Sequence, residues 1–477
     1  MIHDGSDEPP IVIAGGGLAG LAAAAAMVRS GVVARGRRVR LFEARRRPGG
    51  RAASFEDPVG GGLVDACQHV AMGCCTNFID LCRQGGIEAR FRRDRTFVFI
   101  DREGRRALCR PSNWLPAPLH LLPLLVGMPG LSVWDRLSLA RAMLRLARMG
   151  ADAEELAAEA WLRGIGQNDR LIERFWRPVL ESALGEELGL VSVASCRKVI
   201  RDGFLAHSRA ADLLVPLEPL GTLFGEYLAE WLRSQGVTVE TGATVVEVVQ
   251  GPGALAVHVA HSGHDRDVEV VECDGLILAM PWKAAARLVP EAGGTIDDRL
   301  AGSPITAVHL WVDSTVVDVP HAILLGGLSQ WVFRPDGGPA GYCQVVISGS
   351  RGLLTMDRKE LVDRVVQELR HAFPADREAI LVASRVVTDP TSVISVKPGI
   401  EHVRPSARGA TSGLYLAGDW TATGWPSTME GAVRSGRLAT DAWLADHGLP
   451  PVGLTPALPD ARLTRWLTRT QRNRGSE

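Results

Sequence analysis

The stretch from Pro10 to Gly31 constrains this chain more than any other. Pro10 to Ala14 reads P-I-V-I-A, a short apolar run rich in β-branched residues, and Gly15-Gly16-Gly17-Leu18-Ala19-Gly20 follows at once. The next residues, LAAAAAMVRSG, are strong helix formers that end at Gly31. Strand, glycine turn and helix in this order are the context in which G-x-G-x-x-G signals a dinucleotide site. Gly15 permits the tight turn, Gly17 lets a pyrophosphate approach the backbone, and Gly20 lets the helix pack close to the sheet. The free N–H groups of the helix N-terminus then face the phosphates. A second strand, Arg38 to Phe42, ends in Glu43, 23 residues after Gly20. A carboxylate there accepts from a ribose diol and repels a 2′-phosphate. The expected fold class is therefore α/β, with a Rossmann-type nucleotide-binding domain.

Composition narrows the field further. At 477 residues, with 46% hydrophobic and 22% charged residues, the chain buries a large core and is expected to form two domains. Its 53 basic and 54 acidic side chains give no global attraction to nucleic acid, and no nucleic-acid partner is expected. The opening MIHDGSDEPP lacks the basic and apolar regions of a secretory signal, so a cytoplasmic location is expected. Eight cysteines are present, four of them between Cys67 and Cys82, but none forms a C-x-x-C pair. Reduced, mostly buried thiols are expected, with no metal centre.

Further motifs separate flavin from nicotinamide. After Glu43 the chain reads A-R-R-R-P-G-G-R, and near the other end L-Y-L-A-G-D-W-T-A-T-G-W-P-S-T-M-E-G-A. Glu43 with Gly49-Gly50-Arg51, Gly418-Asp419 and Glu430-Gly431-Ala432 resembles the flavin-containing amine oxidase and phytoene desaturase superfamily, over most of the chain. The resemblance implies FAD as cofactor. The positions it carries over are Gly15, Gly17, Leu18, Ala19, Gly20, Glu43, Ala44, Gly49, Gly50, Arg51, Gln68, His69, Val245, Gly418, Asp419, Trp425, Thr428 and Met429. It implies Gly50 and Arg51 beside the pyrophosphate and flavin, Gly418 and Asp419 at the ribityl and phosphate region, and Val245 holding the adenine through its strand backbone. A helix opening near Thr428 would aim its N-terminus at the flavin pyrimidine edge, where reduced flavin carries negative charge.

The FAD-binding domain is expected to be discontinuous, comprising residues 8–90, 205–284 and 386–445. Residues 91–204 and 285–385 would form an α+β substrate-binding domain in an amine oxidase-like two-domain fold, and 446–477 a C-terminal tail. Pro111 to Trp134 contains no charged residue, yet five prolines interrupt any spanning helix. The following DRLSLARAMLRLARMGA reads as a helix with Arg141, Arg145 and Arg148 along one face. Such a helix suits either the surface of an anionic bilayer or a solvated face of the cavity domain. Ala461 to Glu477 carries five arginines against one acid, and reads as a frayed solubilising end or a second membrane contact.

Two more stretches narrow the resemblance. Asp65-Ala66-Cys67-Gln68-His69 and Glu173 to Leu184, with Gly418-Asp419-Trp420-Thr421 and Gly424-Trp425-Pro426, resemble the hydroxysqualene dehydroxylases of bacterial squalene and hopanoid synthesis. That family usually carries D-N-G-Q-H where this chain has Ala66 and Cys67. The resemblance implies reductive loss of a hydroxyl from a C30 isoprenoid, with hydride from reduced flavin and a proton donor at the leaving oxygen. The cavity would be long and apolar, with an entrance facing lipid. His69 is the candidate acid, or else a histidine that holds the turn. Asp65 either orients His69 or caps the turn, the latter favoured. Gln68 would touch a flavin carbonyl or lie at the surface, and Trp420 and Trp425 would wall the cavity. No second nucleotide fingerprint is present, so electrons would come from a transiently bound NAD(P)H or a reductase. A phytoene-type desaturase and a noncatalytic isoprenoid carrier remain alternatives.

Overall fold

A computed structural model describes residues 8–150, 155–251, 254–263, 268–289, 296–374 and 378–468. Five parallel strands form the first sheet, in the order Thr238–Thr241, Val39–Glu43, Ile11–Ala14, Gly275–Leu278, Leu414–Leu416. Ile11–Ala14 is central and buried at every residue, which explains its unbroken apolar composition. The strands come from widely separated parts of the sequence.

The helix Leu18–Arg29 lies against the helix Met429–Asp446. Their approach depends on small residues: a Cβ on Gly436 would fall 2.2 Å from the Ala19 carbonyl oxygen. Thr440 Oγ1 donates to the Ala23 carbonyl at 3.2 Å across the same contact. The alanine run thus supplies both helix propensity and a flat packing face. Antiparallel strands Ala243–Gly251, Ala254–His261 and Val268–Cys273 form a three-stranded meander.

A second large sheet has seven strands, in the order Leu381–Ile394, Gly302–Val312, Tyr342–Ser348, Trp331–Phe333, His321–Leu325, Phe97–Asp101, Arg106–Cys109. Its pairs are antiparallel except His321–Leu325 with Phe97–Asp101. Leu381–Ile394 runs through the expected boundary at 385 and 386, because its whole length pairs with Gly302–Val312. Helices between Leu122 and Leu205 pack a separate apolar core that includes Leu139, Trp176 and Leu180.

The proline-rich segment forms a short turn at Leu119–Leu121 and the helix Leu122–Gly127. The next helix spans Val133–Ala147 and opens with a capping box between Ser132 and Asp135. Among the described residues no helix is long and apolar enough to cross a membrane. The described part of the tail, through Thr468, is tied to the body of the protein. Thr455 donates its N–H to Asn77 Oδ1 at 2.8 Å, the Val452 N–H is bound by Asp441, and the buried Thr464 donates to the Leu205 carbonyl. Polar contacts to distant elements fix it, and these leave no local sequence pattern. Arg469, Arg472 and Arg474 lie outside the described residues.

Candidate functional site

A cavity of about 1060 Å³ runs from the glycine turn into the helical region. Gly15, Gly17, Leu18 and Ala19 line one end, where the helix Leu18–Arg29 begins without a side-chain cap. Its first N–H groups are therefore free to meet an anion. Gly20 is not in the lining. A Cβ there would fall 1.9 Å from the Gly15 carbonyl oxygen, so Gly20 makes the turn itself possible. The Glu43 carboxylate braces the same turn, accepting from Gly16 N at 2.7 Å and from Arg45 N at 2.8 Å. Each oxygen keeps a further lone pair for a ribose hydroxyl.

Ala44, Gly49, Gly50, Arg51, Val245, Gly418 and Asp419 also line the cavity, drawn together from three parts of the chain. Gly49 N donates to the Gly16 carbonyl at 2.8 Å, which docks the Gly-Gly-Arg turn on the first one. Arg51 pairs with Asp419, whose other oxygen accepts from Ser427. Thr428 caps the helix Met429–Asp446 through its hydroxyl, and both Thr428 and Met429 line the cavity. Glu430, also in the lining, accepts from Asn77 and from Phe78 N; burial pushes its carboxyl above the usual range.

The turn 65–69 is held from the seven-stranded sheet. Gln344 accepts from Gln68 N and donates to the Asp65 carbonyl. Asp65 does not line the cavity: its Oδ1 accepts from Ser54 Oγ at 2.6 Å and Leu220 N at 2.7 Å, which ties the turn to two other segments and caps no residue of the turn itself. Burial pushes it up to about 7. Gln68 lines the cavity, and among the described residues its buried Oε1 has no partner. His69 lies beside it, with Nδ1 2.7 Å from the Cys67 carbonyl. A carbonyl only accepts, so Nδ1 carries a hydrogen. Burial and the Arg51 cation hold the ring below the usual imidazole range. The bond to Cys67 ties the ring to its own turn. All eight cysteines are free, and burial pushes the Cys67 thiol up to about 12.

Beyond the turn the lining is apolar, with Phe175, Val179, Phe204 and Met143 among its residues. Trp425 is part of this wall, whereas Trp420 is wholly buried in the core and donates Nε1 to the Met280 carbonyl. Lys198, which the motifs did not single out, also lines the cavity. Its ammonium sits 4.8 Å from the centre of the Trp425 ring and pairs with Asp202 at 2.7 Å. It ends the helix Val193–Lys198, directly before a wide-turned helical segment, Val199–Leu205, that lines the cavity through Val199, Gly203, Phe204 and Leu205.

These features fit FAD. An uncapped helix N-terminus suits a pyrophosphate, Glu43 suits a ribose diol, and the orphaned Gln68 Oε1 suits an N–H donor such as flavin carries. Fold and site together define an FAD-dependent oxidoreductase with an amine oxidase-like, two-domain α/β architecture. The chain belongs to the flavin containing amine oxidoreductase family, which it matches over residues 18–444. It is 26% identical over 439 residues to the hydroxysqualene dehydroxylase of Zymomonas mobilis, covering 91% of this chain and 98% of that one. It is 25% identical over 475 residues to the 15-cis-phytoene desaturase of Solanum lycopersicum, covering 92% and 78%. Among solved structures, cyclohexylamine oxidase from Brevibacterium oxydans superposes with a TM-score of 0.68 at 17% identity, covering 92% of this chain and all of that one.

Proposed function

We propose that this enzyme reductively dehydroxylates hydroxysqualene to squalene, on the route to hopanoids and related terpenoids. The observation that carries the reading is the apolar cavity continuous with the FAD site, with one lysine ammonium in its wall. Similarity to hydroxysqualene dehydroxylases over nearly the whole of both chains supports it.

FAD, once reduced by NAD(P)H or a reductase, supplies the hydride. The residues supply the rest. The wall around Phe175 and Val179 excludes water and holds the C30 chain by apolar burial. His69, which lines the cavity beside Gln68, orients the alcohol through a hydrogen bond. Lys198 donates a proton to the oxygen as the C–O bond breaks, since hydroxide alone leaves poorly. Asp202, 2.7 Å away, holds the side chain in place. The bond between carbon and oxygen is replaced by one between carbon and hydrogen, and water departs with the donated proton.

The desaturase reading has its own support in the phytoene and ζ-carotene desaturase relatives. Mass analysis of products separates the two. Anaerobic enzyme supplied with NAD(P)H should convert hydroxysqualene to squalene and leave phytoene unchanged. Oxidation of phytoene with recovery of hydroxysqualene would reverse the assignment.

A further inference from the structure

We propose that the face built by residues 112–148 docks on an anionic phospholipid bilayer, so that the cavity opens between protein and lipid. The substrate class is taken from the function proposed above, but the surface is read from exposure and charge alone. Trp114 is 94% exposed and Trp134 79%, with Val126 and Val133 each at 65%. Solvent-facing surfaces rarely leave such side chains bare together, whereas tryptophans at a headgroup boundary are common. The run from Pro111 to Trp134 also carries no charge to oppose insertion.

The apolar exterior is continuous with the interior. Leu119 and Leu122 are both exposed and both line the cavity, and Leu467, next to the exposed Trp466, lines it from the tail helix. A basic margin completes the face. Along one stripe of the helix Val133–Ala147, Trp134 and Leu137 are followed by Arg141 and Arg145, all exposed. Among the described residues neither arginine has an ion-pair or hydrogen-bond partner, whereas Arg40, Arg83, Arg163 and Arg408 are all paired. Unpaired guanidinium groups bordering an apolar patch suit lipid phosphates. A second copy of the chain fits less well, since the one acid in this stretch, Asp135, is buried and already bound by Ser132 and Asn168.

The test is cosedimentation of the full-length FAD-loaded enzyme with phosphatidylglycerol vesicles and with phosphatidylcholine vesicles, without substrate. The wild type should bind phosphatidylglycerol at least ten-fold more tightly than phosphatidylcholine. Trp114→Ser with Trp134→Ser, and separately Arg141→Glu with Arg145→Glu, should each weaken binding at least ten-fold with the flavin spectrum unchanged. Quenching of tryptophan fluorescence by brominated acyl chains should be lost in the tryptophan variant. Wild-type enzyme left in the supernatant, equal binding by the variants, or a dimer that the tryptophan variant breaks without any vesicle binding would each overturn the proposal. Turnover of detergent-dispersed hydroxysqualene should be unaffected by these substitutions. Vesicle binding by an enzyme that turns over no hydroxysqualene would leave this surface standing and sink the functional reading instead.

Discussion

The chemistry of the site rests on a few side chains whose partners the fold dictates. Glu43 is tied into the glycine turn by two backbone N–H groups, so Glu43→Ala removes both the brace and the ribose acceptor. Hydrogen bonds to a charged group contribute roughly 1.5–3 kcal/mol each, and FAD affinity measured by fluorescence titration should fall at least ten-fold. Lys198→Met should lower kcat by about 10²- to 10⁴-fold while FAD binding stays intact, as stopped-flow turnover and flavin spectra would show. Asp65 makes a thermodynamic prediction. Its carboxyl is raised from 3.8 to about 7 by burial, so the folded state holds the proton more tightly than the unfolded chain. Stability therefore falls as pH rises through that interval, by up to about 1.4 kcal/mol per pH unit for the single proton, and the loss is complete above about 7. Asp65→Asn keeps an oxygen for Ser54 and Leu220 and should flatten the dependence of Tm on pH between 5 and 8. The glycines and Glu43 were legible in sequence because their roles are local. The surroundings of His69 were not, since they combine the Cys67 carbonyl, burial and Arg51. Lys198 lies far from every flavin motif; the available signal was rarity, for it is one of only four lysines among 53 basic residues.

At the scale of elements, the strands Ile11–Ala14 and Val39–Glu43 of the nucleotide sheet could be read from their apolar runs. The end of Leu381–Ile394 could not, because pairing with Gly302–Val312 sets its length and its own burial pattern is only partial. The tail shows the same limit. Asn77 accepts from Thr455 N, while Arg437 donates to both Asn77 Oδ1 and Thr455 Oγ1 inside the body of the protein. Removing residues 450–477 would strip partners from two buried polar side chains, each an omission that costs about 1–3 kcal/mol. A truncated chain should therefore show a clearly lower Tm by calorimetry, whereas a merely frayed end would leave it unchanged.

For the molecule as a whole, the sheets and a helical layer border one continuous space, with the glycine turns at one end and an apolar lining at the other. Composition and motif order gave this division of labour, since dinucleotide binding needs glycine turns and the burial of a hydrocarbon chain needs only bulk and dryness. The direction of electron flow has no such local signature, because reduction and desaturation ask for the same cofactor and the same oily wall. It is settled most directly by a single turnover. Enzyme reduced anaerobically with one equivalent of dithionite is mixed with hydroxysqualene, and flavin absorbance and squalene are followed together. The account predicts flavin reoxidation with one squalene formed per flavin; flavin that stays reduced while the alcohol is recovered intact would contradict it.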